Sequence, residues 1–161
     1  MGTTYESRVI RVTIDRTPAE VYDFAARPEN MPRWASGLGS AIERAGAADR
    51  DTGKWDGETW DAETWDGETW IAQTPHGPMK VRFAPRNAFG VLDHTVFPES
   101  GPPIHIPLRV VANGDGSEVV FILFRMPGVS DAAFAADADW VRRDLETLRS
   151  LLEASGGPGT G

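Results

Sequence analysis

PLRVVANGDGSEVVFILFR, residues 107–125, decides the fold. Asn113-Gly114-Asp115-Gly116 is a tight-turn tetrad, since Gly, Asn and Asp tolerate the positive φ that hairpin turns require. The flanks are rich in Val, Phe, Ile and Leu, which suit a pleated, half-buried surface. A turn here pairs Ala112 with Ser117, so Val110 faces Val119 and Leu108 faces Phe121. Strands joined by so short a turn are antiparallel.

Working outward, residues 130–153 read as one long helix. Ser130 is its N-cap, and Phe134, Ala138, Val141, Leu145, Leu148 and Leu152 recur at helical spacing on one face. Such a face needs a sheet to lie on. Upstream, AFGVLDHTVF and IHIPLRVVA are strands, and IAQTPHGPMKVRF is a hairpin turning at Pro75-His76-Gly77-Pro78. Near the start, RVIRVTID alternates as a strand. Thr17, Pro18 and Glu20 then have capping-box spacing and predict a helix from Pro18 to about Ala26. Residues 28–34 read as a second short helix, and GLGSAIERAG as a weak strand. The fold class is α+β: a curved antiparallel sheet of about six to seven strands gripping a long C-terminal helix. A single domain spans 1–154, and the tail, 155–161, is expected to be disordered.

Three stretches carry a resemblance: SRVIRVTIDRTPAEVYDFAARPENMPRW (7–34), GVLDHTV with PLRVVANGDGSEVVFILFR, and DADWVRRDLETLRSLLE (137–153). Together they resemble the START-related, birch-pollen-allergen-like superfamily (SRPBCC), in its polyketide cyclase/dehydrase-type branch. The resemblance covers the chain except for residues 55–69 and the tail. It implies a helix-grip fold with a cavity between sheet and helix. It also implies an apolar ligand, lipid- or polyketide-like. Two alternatives are a cyclase/dehydrase-type enzyme and a co-chaperone-like interaction module.

The hairpin registers select the inner face. Pairing Asp93 with Leu108 and Val91 with Val110 places Phe89, Val91, Asp93, Thr95 and Phe97 inward, beside Ile104, Ile106, Leu108, Val110, Val119, Phe121, Leu123 and Arg125. Met79, Val81 and Phe83 join them, then Trp70, Ala72 and Thr74. With Trp34 at the mouth and Phe134 and Val141 on the helix, the expected ligand-binding set is Trp34, Trp70, Met79, Val81, Phe83, Val91, Asp93, Leu108, Phe121, Arg125, Phe134 and Val141. His94 and His105 are expected outside, too few for a metal site.

Two ionisable groups interrupt this wall, and burying a charge is costly unless it is paired. Asp93 is either a ligand anchor and general acid/base, the expected catalytic residue, or a structural group bonded to Thr95, Tyr22 or backbone. Arg125 binds a carboxylate at the rim, snorkels to water or pairs with an acidic helix residue. Trp34 is either core packing or a lid.

WDGETWDAETWDGETW, residues 55–70, sets four tryptophans five apart. Five is odd, so in a strand they alternate faces, and in a helix each step turns ~140°. Neither element gains a constant apolar face. Without 55–69 the text reads ADRDTGKWIAQTPHGPMKVRF, an ordinary strand entry. The block is expected to be an inserted, protruding hairpin; a turn at 61–64 would set Trp60 opposite Trp65 and Trp55 opposite Trp70, and Asp56-Gly57 and Asp66-Gly67 offer rival turns. Exposed tryptophans there would favour self-association.

The chain has 161 residues, 40% hydrophobic and 25% charged, ordinary for one globular domain. Its net charge of −8 argues against nucleic acid as a partner. Six of its 24 acidic residues lie in the repeat. There is no cysteine, hence no thiolate chemistry or disulfide. No phosphate loop, nucleophile elbow, dinucleotide fingerprint or zinc spacing occurs, and no cofactor is expected. No apolar run reaches the ~18 residues of a membrane span, and no signal peptide is evident, so a cytoplasmic location is expected.

Overall fold

The structure, a computed structural model, describes residues 2–38, 40–44, 69–75 and 77–155. Strand β1 (Ser7–Ile14) leads into helix α1 (Pro18–Ala25). The Thr17–Glu20 capping box forms as its spacing requires: Glu20 N–H donates to Thr17 Oγ1 at 3.3 Å and Thr17 N–H to Glu20 Oε2 at 3.0 Å. The expected helix over 28–34 divides into a 3-10 turn (Pro28–Asn30) and α2 (Met31–Trp34). Pro32 has no N–H to donate back across that junction. A further 3-10 turn (Ser36–Leu38) precedes β2 (Ala41–Arg44).

The remaining strands are β3 (Thr69–Thr74), β4 (Gly77–Phe83), β5 (His94–Phe97), β6 (Ile104–Ile106), β7 (Leu108–Asn113) and β8 (Gly116–Phe124), followed by α3 (Asp131–Ser155). Hydrogen-bonded order is β2-β3-β4-β5-β6 in one sheet and β1-β8-β7 in the other, with every pairing antiparallel. Among the described residues there are eight strand segments, Pro107 separating β6 from β7. Proline cannot donate to a ladder, and the Asp93 carboxylate accepts the next N–H, from Leu108, at 3.0 Å. A bridge between Val91 and Arg109 carries the β5–β6 register past the break and joins the sheets.

The 113–116 turn has the expected register, with Ala112 opposite Ser117 and Leu108 opposite Phe121. The preceding hairpin does not. His94 pairs with Ile106 and Val91 with Arg109, one residue from the expected pairing. Side chains alternate along a strand, so one step exchanges the faces. Leu92, His94 and Val96 turn inward and are buried. Asp93 turns outward beside Arg109, and Phe89 is 83% exposed. Leu92 N–H donates to Leu108 O at 2.8 Å and Val110 N–H to Gly90 O at 2.9 Å, fixing this register.

α3 begins as predicted, with Ala133 N–H donating to Ser130 Oγ at 3.1 Å. Phe134, Ala138, Leu145, Leu148 and Leu152 are buried on its inner face. They share the main core with Ile10, Val12 and Ile14 of β1, Val21 and Ala25 of α1, and Met31 and Trp34 of α2, Phe134 apart. A smaller core, Ala72, Val81 and Val96, lies under the β3–β5 end. Fully burying each Leu, Ile or Val contributes about 1.5–3 kcal/mol. The helix continues through Ala154 and Ser155, residues expected to lie at or beyond its end; the rest of the expected tail, 156–161, lies outside the described residues.

Trp70 pairs with Arg44 on one side and Val81 on the other. The expected pairing of Trp55 with Trp70 involves Trp55, which lies outside the described residues. The remainder of the expected repeat hairpin, Trp60 opposite Trp65 included, lies outside the described residues, as does His76.

Candidate ligand-binding site

The inner faces of β4–β8 and helices α2 and α3 line a partly open cavity of about 410 Å³. Its wall is apolar: Met79, Val96, Ile104 and Ile106 come from one sheet, Leu108, Phe121 and Leu123 from the other, and Val141 and Leu145 from α3. Residues of both strand sets line this one cavity. Trp34 closes the α2 side.

Few polar groups face this space. Trp34 is 4% exposed, and its Nε1–H is buried without a hydrogen-bond partner among the described residues. His94 is 5% exposed; its Nδ1 lies 3.1 Å from the carbonyl oxygen of Leu92. Burial pushes the His94 pKa down, despite the opposing Leu92 hydrogen bond and Asp93 charge. At the mouth, Ser36 Oγ donates to Asp144 Oδ1 at 2.6 Å and accepts from Trp140 Nε1 at 2.6 Å. This chain ties the segment after α2 to α3. Burial raises the Asp144 pKa against the hydrogen bonds from Ser36 and Gly37.

A second cavity, about 420 Å³, lies between α1, the Pro28–Asn30 turn and the β4–β5 connection. It shares Met31, His94 and Leu108 with the first. His94 therefore stands where the two spaces adjoin.

The expected ligand-binding residues divide accordingly. Trp34, Met79, Leu108, Phe121 and Val141 line the first cavity. Phe83, Val91 and Asp93 line the second, with Leu108 again. Trp70 and Val81 are buried but line neither, and the Arg44 guanidinium lies 5.6 Å from the Trp70 ring centre. Phe134 is buried beneath the guanidinium groups of Arg8 and Arg125, 4.8 and 5.8 Å from its ring centre. Arg125 donates to Asp131 at 2.7 Å, Glu6 at 3.0 Å and the Val129 carbonyl at 2.9 Å. It pairs with an acidic helix residue, one of the outcomes its sequence position allowed.

Asp93 is corrected from inner wall to outer face. Its oxygens receive Arg109 Nε at 2.8 Å and Nη2 at 2.7 Å. Partial burial disfavours its charge, but Arg109 and the Leu108 N–H outweigh this and hold the carboxyl below its usual range. An ionised, paired carboxylate suits a structural clamp better than a proton donor. His94 is corrected from outer face to inner wall, while His105 stays outside, its Nε2 3.9 Å from Asp93. Among the described residues no cluster of three or more His, Cys, Asp or Glu could hold a metal ion, and no helix is long and apolar enough to cross a membrane.

His94, Met31 and the Ser36–Asp144–Trp140 chain were missed from sequence. For His94 a signal existed. Leu92 and Val96 share its phase, whereas Asp93 and Thr95 share the other, which is the usual apolar-in, polar-out alternation.

No known family profile matches the sequence, and no curated protein matches it. Solved structures do. The crystal structure of Ara h 8.0201 superposes with a TM-score of 0.63 at 13% identity, covering 92% of this chain and 98% of that one. The Aha1 dimer from Colwellia psychrerythraea gives 0.64 at 13% identity, covering 94% and 99%. DynU16, from the dynemicin biosynthetic locus, gives 0.63 at 12% identity; 92% of this chain covers 48% of that one. The architecture shared with these structures is the helix-grip fold.

Proposed function

We propose that this chain binds an apolar small molecule, of lipid- or polyketide-like character, in the cavity between the sheet and α3. One observation carries the reading: a space of about 410 Å³ walled by Met79, Val96, Ile104, Phe121 and Val141. Volumes of this order hold small ligands, and a mostly apolar wall with few polar groups is the usual composition of such sites. The reading requires no cofactor. The enzymatic alternative has less support, because Asp93 lies outside this cavity and is engaged by Arg109 in a salt bridge. An interaction module working only through its surface has no need of such a cavity.

N-phenyl-1-naphthylamine, neutral and fluorescent in apolar surroundings, tests the reading. Titration of the 161-residue chain is expected to saturate at one probe per chain, and Val141→Trp, which fills the space, to weaken binding at least tenfold. Unsaturable fluorescence, or saturation indifferent to Val141→Trp, would reject it.

A further inference from the structure

Two buried polar groups belong to residues that line this cavity. Trp34 Nε1–H is a donor only, and its desolvated hydrogen has no acceptor among the described residues. A buried unpartnered donor is a standing cost that a ligand oxygen would relieve. His94 is its complement. Its Nδ1 faces the Leu92 carbonyl, which can only accept, so Nδ1 carries the hydrogen. Burial keeps the ring neutral, so Nε2 presents a lone pair. Both residues line the same cavity.

We infer that this cavity selects a neutral apolar ligand bearing a hydroxyl group, whose oxygen accepts from Trp34 Nε1–H and whose hydrogen is donated to His94 Nε2. The inference rests on the cavity reading above and deepens it. A hydroxyl supplies both an acceptor and a donor, from one group or from a hydroxyl beside a carbonyl. A bare hydrocarbon satisfies neither protein group. An ether or ketone satisfies only Trp34. A carboxylate would also leave His94 without a donor, and would approach Asp137 and Asp144, which line the same space. Aliphatic alcohols and phenols share the required chemistry.

Four probes of one shape separate these cases: naphthalene, 2-methoxynaphthalene, 2-naphthol and 2-naphthoate, titrated calorimetrically into the full chain at pH 7.5. Naphthol is expected to bind roughly tenfold tighter than naphthalene, with the methyl ether between them and the carboxylate weakest. His94→Phe should lower naphthol to the level of the ether. Trp34→Phe should bring naphthol and ether both toward naphthalene. The wild-type series decides even if a variant fails to fold. Equal binding of naphthalene and naphthol, or tightest binding of naphthoate, overturns the inference and leaves the apolar-cavity reading intact. Binding of none of the four overturns both.

Discussion

Asp93 and Arg109 form a two-pronged ion pair across the outer face of the sheet, and the same carboxylate takes the Leu108 N–H where Pro107 breaks the ladder. The Asp93 side chain is 16% exposed and the Arg109 side chain 50%, so solvent screens the charge pair and most of its worth lies in the hydrogen bonds. Asp93→Ala is expected to destabilise the chain by about 1–2 kcal/mol in urea denaturation, since it leaves Leu108 N–H without its acceptor. Binding of N-phenyl-1-naphthylamine should be unchanged. A large loss of binding at unchanged stability would return Asp93 to the site.

His94 gives stability a pH dependence. Its folded pKa lies below the ordinary value of 6.5, so the unfolded chain takes up the proton first as pH falls. The contribution is therefore complete above about pH 6.5 and is lost as pH drops toward the folded value, with a slope of at most about 1.4 kcal/mol per pH unit. Asp144, whose pKa is raised by burial, acts in the opposite direction and favours the folded chain on acidification. Comparing wild type with His94→Phe cancels that term. Thermal midpoints between pH 5 and 8 should fall on acidification more steeply in the wild type than in the variant. Parallel curves would show that His94 does not titrate on unfolding.

Gly90 holds the register that turns His94 inward. Its φ is +72°, and an added Cβ would stand 2.2 Å from the Val110 carbonyl oxygen, which accepts nothing softer than a backbone shift. Gly90→Ala combines positive-φ strain with a backbone clash and should cost roughly 2–4 kcal/mol. Denaturant unfolding reads this directly. A neutral effect would mean that the Gly90–Val110 contact is looser than described.

The repeat is proposed to be an insertion that the domain does not need. Twenty-four residues, 45–68, connect Arg44 to Thr69, and deleting 55–69 leaves ten before Trp70. Loop closure changes by only about 0.6 kcal/mol per doubling of length, so the deletion should leave stability equal or slightly higher. It removes six acidic residues and no basic one, taking the net charge from −8 to −2. If the tryptophans mediate self-association, sedimentation should show the shortened chain as the smaller species. A destabilised product would mean the repeat packs on the domain.

How much of this was legible in the sequence depended on how local the determinant was. The Thr17–Glu20 box, the 113–116 turn and the α3 stripe each depend on residues within a few positions, and each formed as read. The β5–β6 hairpin has no such turn: Phe97 to Ile104 is a longer connection containing Pro98, Pro102 and Pro103, and its length does not dictate register. The one-residue error there exchanged Asp93 for His94 in the cavity wall. Met79, Phe121 and Val141 lie on other elements and line the cavity regardless of that register. Strand pattern also cannot say which inward residues reach the open space. Trp70, Val81 and Phe134 are buried but line neither cavity because neighbours cover them, a property of three-dimensional packing.

Methyl-selective NMR of the full chain, titrated with N-phenyl-1-naphthylamine, tests the central claim most directly. Saturable shifts are expected at Met79, Val96, Ile104, Ile106, Leu108, Val141 and Leu145, which face the cavity from three sides. Val9 and Val111, exposed on the outer surface, should remain still. Shifts confined to the exposed valines, or no saturable shift at the cavity methyls, would contradict an interior binding site.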